Sequence, residues 1–254
     1  MTGSMELYHL LIMFFVAVVA AAFGTLIGGS SIVTIPTLIL LGLPPHTAIG
    51  TDRFGIIGVG LAGWYKFQKK GLINYRVGLI VAIPVLFGTA LGANLVLQIS
   101  ENVLKHVIVV TNILLVAFLL LNPDIGVKRR QSAIRQKEYL IGASLSFLVG
   151  VYGGFYGAMA GTFSMYILIA WFRQTFIQSA ATQKIGSIFM TVTASTVFAL
   201  NNAVNYYLGL AMLTGCLVGS YLGAHYAERI GNVWVKRMFI AFIIVALVKI
   251  MFSP

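Results

Sequence analysis

The chain has 254 residues, 59% of them hydrophobic and only 9% charged, where an ordinary soluble domain carries about a quarter charged residues. Its 17 Lys and Arg exceed its 6 Asp and Glu, but they gather in short clusters between long apolar runs. That layout excludes the interleaved basic face of a nucleic-acid binder and fits juxtamembrane loops. A lone cysteine, Cys216, excludes an internal disulfide framework and a cysteine-based metal site.

The first apolar run, 7–43, is far longer than the roughly 20 residues that cross a bilayer, so it contains a break. Gly28-Gly29-Ser30-Ser31 is the place for it, because glycine leaves helical geometry freely and serine side chains can bond freed backbone groups. Gly42-Leu43-Pro44-Pro45-His46 ends the short helix that follows. Residues 47–67 form the next helix, and Lys66, Lys69, Lys70 and Arg76 close this section. Apolar runs 77–97 and 103–121 come next, then a basic linker, 122–137, with Lys128, Arg129, Arg130, Arg135 and Lys137. Beyond it lie runs 139–159, 161–172, 178–200, 207–226 and 235–252, with a second glycine break between Gly153 and Thr162.

The second series repeats the first. At an offset of 131 (205 − 74), Asn74-Tyr75 falls on Asn205-Tyr206, Gly88 on Gly219, Leu91-Gly92-Ala93 on Leu222-Gly223-Ala224, Thr51 on Thr182 and Arg53 on Lys184. The chain is thus expected to be a single all-α integral membrane domain of two repeats, about 6–121 and 138–252, joined by a cytoplasmic linker. Loop charge sets their relative orientation. Loop 66–76 is basic and its counterpart 197–207 is not, whereas 226–237 carries Arg229, Lys236 and Arg237 and its counterpart 98–105 carries only Glu101 and Lys105. Basic loops stay in the cytoplasm, so the reversal predicts inverted-topology repeats with a broken or re-entrant helix pair in each, about 30–66 and 161–197. Eight full spans arranged as 4+4 are the alternative. Tyr75 and Tyr206 are expected at opposite membrane interfaces.

Arg53 and Lys184 are the candidate substrate-binding pair, since an ionisable side chain within a span is costly and is retained for function. Each is expected near a helix start, where unpaired N–H groups favour an anion. Thr51 and Thr182 add hydroxyl donors, and Gly29, Ser30, Ser31, Gly161 and Thr162 supply the backbone-lined path. The bland reading pairs Arg53 with Asp52 and lets Lys184 run to the interface. Asp52, the sole acid in an expected span, is either a proton-coupling site or the counter-ion of Arg53. The glycine breaks lack the Gly-Lys-Ser/Thr ending of a nucleotide loop, and otherwise signify close helix packing. His46, His106 and His225 show no metal-ligand spacing, so no metal and no cofactor is expected. With no nucleophile–base constellation, neither is an enzyme.

Gly28-Gly29-Ser30 through Pro36, Gly42-Leu43-Pro44-Pro45, Ala48-Ile49-Gly50-Thr51, Asn74-Tyr75 and Gly88-Thr89-Ala90-Leu91-Gly92-Ala93 form a set, partly repeated in Ala181-Thr182, Asn205-Tyr206 and Gly219-Ser220-Tyr221-Leu222-Gly223-Ala224. This set resembles the sulfite exporter family TauE/SafE, also called the 4-toluene sulfonate uptake permease family, over essentially the whole chain. The resemblance implies a multi-pass transporter of the cytoplasmic membrane that carries sulfite, thiosulfate or an organosulfonate. Family members commonly have Ser after the threonine, where this chain has Asp52-Arg53 and Gln183-Lys184, and Phe172-Arg173-Gln174-Thr175 stands where the second Gly-Leu-Pro-Pro turn is expected. Expected partners are a small anion and the lipid bilayer, with no nucleic acid. A homo-oligomer and a coupling ion such as H⁺ are left open, as are an anion channel and a membrane enzyme acting on a sulfur compound or lipid.

Overall fold

A computed structural model describes residues 2–104, 106–107, 110 and 136–226. The expected spans 103–121 and 235–252, nearly all of the linker, and Arg229, Lys236 and Arg237 lie outside the described residues, apart from isolated positions at the start of the first span. The described elements are all helical: α1 (Thr2–Ile27), α2 (Ser31–Leu40), α3 (Pro45–Gly55), α4 (Ile57–Lys69), α5 (Tyr75–Val96), α6 (Gln136–Phe155), α7 (Ala160–Ala170), α8 (Phe176–Leu200) and α9 (Tyr206–Tyr226). Leu7–Leu26 of α1 and the whole of α5, α6 and α9 are long and apolar enough to cross a membrane. With 10 and 11 residues, α2 and α7 rise only about 15 Å, half the hydrocarbon thickness. Large apolar side chains face outward, among them Phe87, Leu148 and Leu200, which is the surface a lipid solvent requires.

Both glycine breaks occur where expected. The chain leaves α1 through Gly28 and Gly29 at φ +82° and +90° and re-enters helix at Ser31. Ser30, however, makes no side-chain cap, and the Ser31 hydroxyl donates to Asp52 instead of to freed backbone. In the second half, Tyr152 Oη donates to the Ala158 carbonyl at 2.7 Å, satisfying an acceptor that the end of α6 leaves behind. The left-handed residues Gly28, Gly42 and Gly71 have left-handed counterparts 131 positions on, at Met159, Arg173 and Asn202. The combined span of α3 and α4, residues 45–69, likewise superposes in number on α8, residues 176–200.

The expected single helix over 47–67 is interrupted at Ile56. There the Val59 N–H reaches the Ile56 carbonyl at 3.0 Å, a three-residue step in place of four. Glycines at 50, 55, 58, 60 and 63 weaken this stretch as an isolated helix. Packing then shapes it: a Cβ on Gly55 would stand 2.5 Å from Met212, and one on Gly58 2.6 Å from the Leu213 carbonyl.

The halves interlock. In one long interface, α1 lies along α9, with Gly215, Gly219 and Gly223 against the carbonyls of Phe14, Val18 and Ala22. In the other, α5 lies along α6, with Gly88 and Gly92 against Phe147 and Val151, and Gly150 and Gly154 against Val85 and Thr89. Absent side chains let these backbones meet, the usual device of helix packing in lipid. At one end of the molecule Lys66 Nζ lies 3.4 Å from Tyr221 Oη and Lys70 Nζ 3.5 Å from the His225 carbonyl, so α4 and α9 finish together, and α5 starts there. At the other end His46 of α3 meets the Val96 carbonyl at 2.9 Å and Glu101 at 2.6 Å, where α5 finishes.

Candidate functional site

The two breaks meet in the middle of the molecule. A Cβ on Gly28 would lie 2.5 Å from the Thr162 nitrogen and 2.8 Å from the Gly161 carbonyl carbon, so the starts of α2 and α7 converge. These are the helix N-termini at the centre. Arg53 and Lys184, expected near helix starts, are elsewhere on their helices: Arg53 is in the last turn of α3, and Lys184 is the ninth residue of α8.

A small cavity of about 50 Å³ lies at this meeting point, room for a few water-sized groups. Its lining includes five pairs related by the offset of 131: Gly29 and Ala160, Ser30 and Gly161, Arg53 and Lys184, Ile56 and Ser187, Val59 and Met190. Of the sequence-derived site residues, the cavity gathers Gly29, Ser30, Ser31, Gly161, Arg53 and Lys184. Thr162 sits beside Gly28, just behind the lining.

Thr51 and Thr182 do not line it. Thr51 Oγ1 accepts from the Asn205 N–H at 2.8 Å and Thr182 Oγ1 from the Asn74 N–H at 3.1 Å. Each thus ties its helix to the N-cap residue of the opposite half, and those asparagines in turn accept from the Leu208 and Val77 N–H groups. The repeat match that drew attention to both threonines reflects this reciprocal tie.

The two cations differ in company. Arg53 is 1% exposed, and its Nη2 donates to Asp52 Oδ2 at 2.7 Å, Ser31 Oγ at 2.9 Å and the Tyr156 carbonyl at 3.0 Å, while its Nε is unpartnered. Asp52, fully buried, also accepts from Ser31 at 2.8 Å and from Thr34. The guanidinium therefore joins α2 and α3 to the break between α6 and α7, and its charge is met by a carboxylate. Lys184 is 1% exposed and has no hydrogen-bond or ion-pair partner among the described residues. It does not run outward: its stem packs where a Cβ on Gly63 would stand 2.9 Å from Cε.

Gln183, Ser187 and Thr191 also line the cavity, although they were not among the sequence-derived candidates. The signal was present as polar residues at i, i+4 and i+8 in an otherwise apolar helix, one stripe of α8. Among the described residues no cluster of His, Cys, Asp or Glu could hold a metal.

A model of the family described as "Sulfite exporter TauE/SafE" matches residues 13–250. The chain is 27% identical over 229 residues to a probable membrane transporter protein of Haemophilus influenzae, covering 90% of this chain and 89% of the relative. It is 28% identical over 251 residues to a probable membrane transporter protein, ORF9, of a Sinorhizobium species, covering 97% and 94%. With the Escherichia coli K12 probable membrane transporter protein YfcA the identity is 23% over 242 residues, covering 95% and 89%. No solved structure matches. With nearly its whole length matched, the chain belongs to the sulfite exporter TauE/SafE family.

Proposed function

We propose that the protein is a secondary transporter of the cytoplasmic membrane that carries a small sulfur-containing anion, of the sulfite, thiosulfate or organosulfonate class, by alternating access at the cavity between its halves. The family is one of membrane transporters, not of enzymes. The observation that carries the reading is Lys184: a buried lysine with no carboxylate partner among the described residues, lining a cavity beside two helix N-termini. Because Asp52 already balances Arg53, a protonated Lys184 leaves one positive charge uncompensated, and an anion is what lowers its cost. Gln183 and Ser187 offer polar groups to oxyanion oxygens, and the starts of α2 and α7 offer N–H groups.

Inverted repeats fit the helix directions. α5 begins at the end of the molecule where α9 finishes, and these two helices correspond at the offset of 131. Alternating access follows if the two interlocked halves rock about the paired lining residues. In this reading Asp52 is the counter-ion of Arg53, and energy comes from a substrate or ion gradient.

The test is flux of radiolabelled sulfite, thiosulfate, sulfate and a small sulfonate into proteoliposomes. Lys184→Gln should lower uptake at least tenfold while the protein stays folded and monodisperse in detergent, a loss of about 1.4 kcal/mol or more of anion stabilisation. Undiminished saturable uptake by this variant would remove Lys184 from the site. Flux that rises without saturation would favour a channel over a carrier.

A further inference from the structure

On the outer surface a groove of about 490 Å³ runs between α4 and α9, lined by Leu61, Ala62, Leu217, Val218 and Leu222 and closed at one end by Tyr65 and Tyr221. The walls are apolar throughout, and Leu61, Val218 and Leu222 are each more than 40% exposed. The closed end is cationic. Lys66 Nζ lies 4.6 Å from the centre of the Tyr221 ring and 3.4 Å from its hydroxyl, and Lys69 Nζ lies 4.4 Å from the centre of the Tyr65 ring. Neither lysine has a carboxylate partner among the described residues, where Asp52, Glu101 and Glu138 are engaged with Arg53, His46 and Arg173.

The same fold is built without these groups in the other half. At the offset of 131, Tyr65, Lys66 and Lys69 correspond to Thr196, Val197 and Leu200, and Tyr221 to Ala90, whereas Leu61, Val218 and Leu222 correspond to Val192, Phe87 and Leu91. The apolar wall is thus common to both halves, and the cationic, tyrosine-framed end is present once. It lies beside the basic loop 66–76, the side that loop charge assigns to the cytoplasm. An apolar trough ending in two lysines at that level has the charge and shape of an anionic phospholipid, with an acyl chain along the helices and a phosphate at the ammonium groups.

We propose that the α4–α9 groove binds one anionic phospholipid of the cytoplasmic leaflet, its chain on Leu61, Leu217, Val218 and Leu222 and its phosphate between Lys66 and Lys69. The site reaches the transport machinery through both helices: Gly63, on the inward side of α4, packs against Lys184 and the Ser220 hydroxyl of α9, which donates to the carbonyl of the cavity-lining Val59 at 2.9 Å. A lipid seated outside would hold α4 against α9 and so favour the state in which Lys184 is enclosed.

Native mass spectrometry and thermal-shift titration of the purified chain, with dioleoyl phosphatidylglycerol and dioleoyl phosphatidylcholine as probes, test this directly. Two lysines near a headgroup should favour the anionic lipid about 30-fold. Lys66→Gln with Lys69→Gln should reduce that preference to about threefold or less, with an unchanged melting temperature in phosphatidylcholine micelles. Val218→Trp, which fills the trough and leaves both lysines, should weaken binding of both lipids. Equal binding of the two lipids by the unaltered chain overturns the proposal, and so does a preference that survives the lysine substitutions. A second copy of the chain retained in place of lipid would make the groove a dimer face and overturn it as well. None of these outcomes depends on the transported anion, so the lipid site and the transport reading stand or fall separately.

Discussion

Asp52 and Arg53 form a pair whose removal can be worked through atom by atom. In Asp52→Asn the amide has one oxygen and one NH₂ to place. On the Oδ2 side stand two donors, Arg53 Nη2 and the Ser31 hydroxyl, so the oxygen must stay there. The NH₂ then faces Thr34, whose hydroxyl can turn to the Ser30 carbonyl 3.2 Å away. Shape and contacts survive, and what is lost is the charge opposite a guanidinium that is 1% exposed. Breaking one partner of a buried pair costs about 3–5 kcal/mol, and the retained hydrogen bonds put this variant near the lower figure. Arg53→Met leaves Asp52 without its cation and also removes the guanidinium donor from the Tyr156 carbonyl, so it should lie nearer the upper one. The double variant should be less destabilised than the sum by at least about 2 kcal/mol, because each single change leaves a buried ionisable group without its partner and the double change removes both. Denaturant unfolding in mild detergent, extrapolated to zero denaturant, measures all four corners of the cycle. Losses that add to within about 0.5 kcal/mol would show that the two groups do not act as a unit, and the assignment of Asp52 as counter-ion would fail.

Thr51→Val and Thr182→Val should each destabilise by about 1–3 kcal/mol, since the Asn205 and Asn74 N–H groups lose their acceptors, while the apparent affinity for the transported anion in the flux assay stays within twofold. A large affinity change with normal stability would return these threonines to the substrate site. Gly219→Ala places a Cβ 2.8 Å from the Val18 carbonyl carbon and 2.9 Å from its Cα, well inside the roughly 3.5 Å of ordinary carbon contact. It should cost about 1–3 kcal/mol in detergent unfolding, the same measurement made on the cycle above. Gly71 has open space around a built Cβ but φ +65°, so Gly71→Ala should lose only about 1–2 kcal/mol from backbone conformation, and Asn202→Gly at the equivalent turn should be close to neutral.

The helix breaks, the helical class and the correspondence of the halves are legible in the sequence because each rests on local chemistry. Gly28-Gly29 has no side chain to oppose a left-handed backbone, Pro45 sits at the start of α3, and an apolar run of 37 residues (43 − 7 + 1) cannot cross once. Arg53 and Lys184 stand out because charge is rare in such a run. What sequence reasoning misses depends on partners distant in the chain. Thr51 looks like an anion donor until Asn205, 154 residues away, is seen to use it. Met212 and Leu213 approach Gly55 and Gly58 on either side of the interruption at Ile56, and Arg53 reaches a carbonyl in the opposite half, which no local pattern announces. Gln183, Ser187 and Thr191 were visible as a polar stripe, but the repeat comparison hid them, since Ser187 and Thr191 fall on Ile56 and Gly60, which have no polar side chain, and Gln183 falls on the charged Asp52.

The contact of α1 with α9 has a consequence for biosynthesis. Phe14 and Gly215 are 201 residues apart (215 − 14), as are Ala22 and Gly223, so α1 waits for the last described helix before the face that meets it is covered. At about 5–20 residues per second a ribosome needs roughly 10–40 s to supply that partner. During this interval α1 has α2 and α4 as neighbours, but the face around Ala17 that meets α9 is covered by lipid and insertion machinery alone. A nascent chain stalled before residue 206 would present that face to any other small-residue helix nearby.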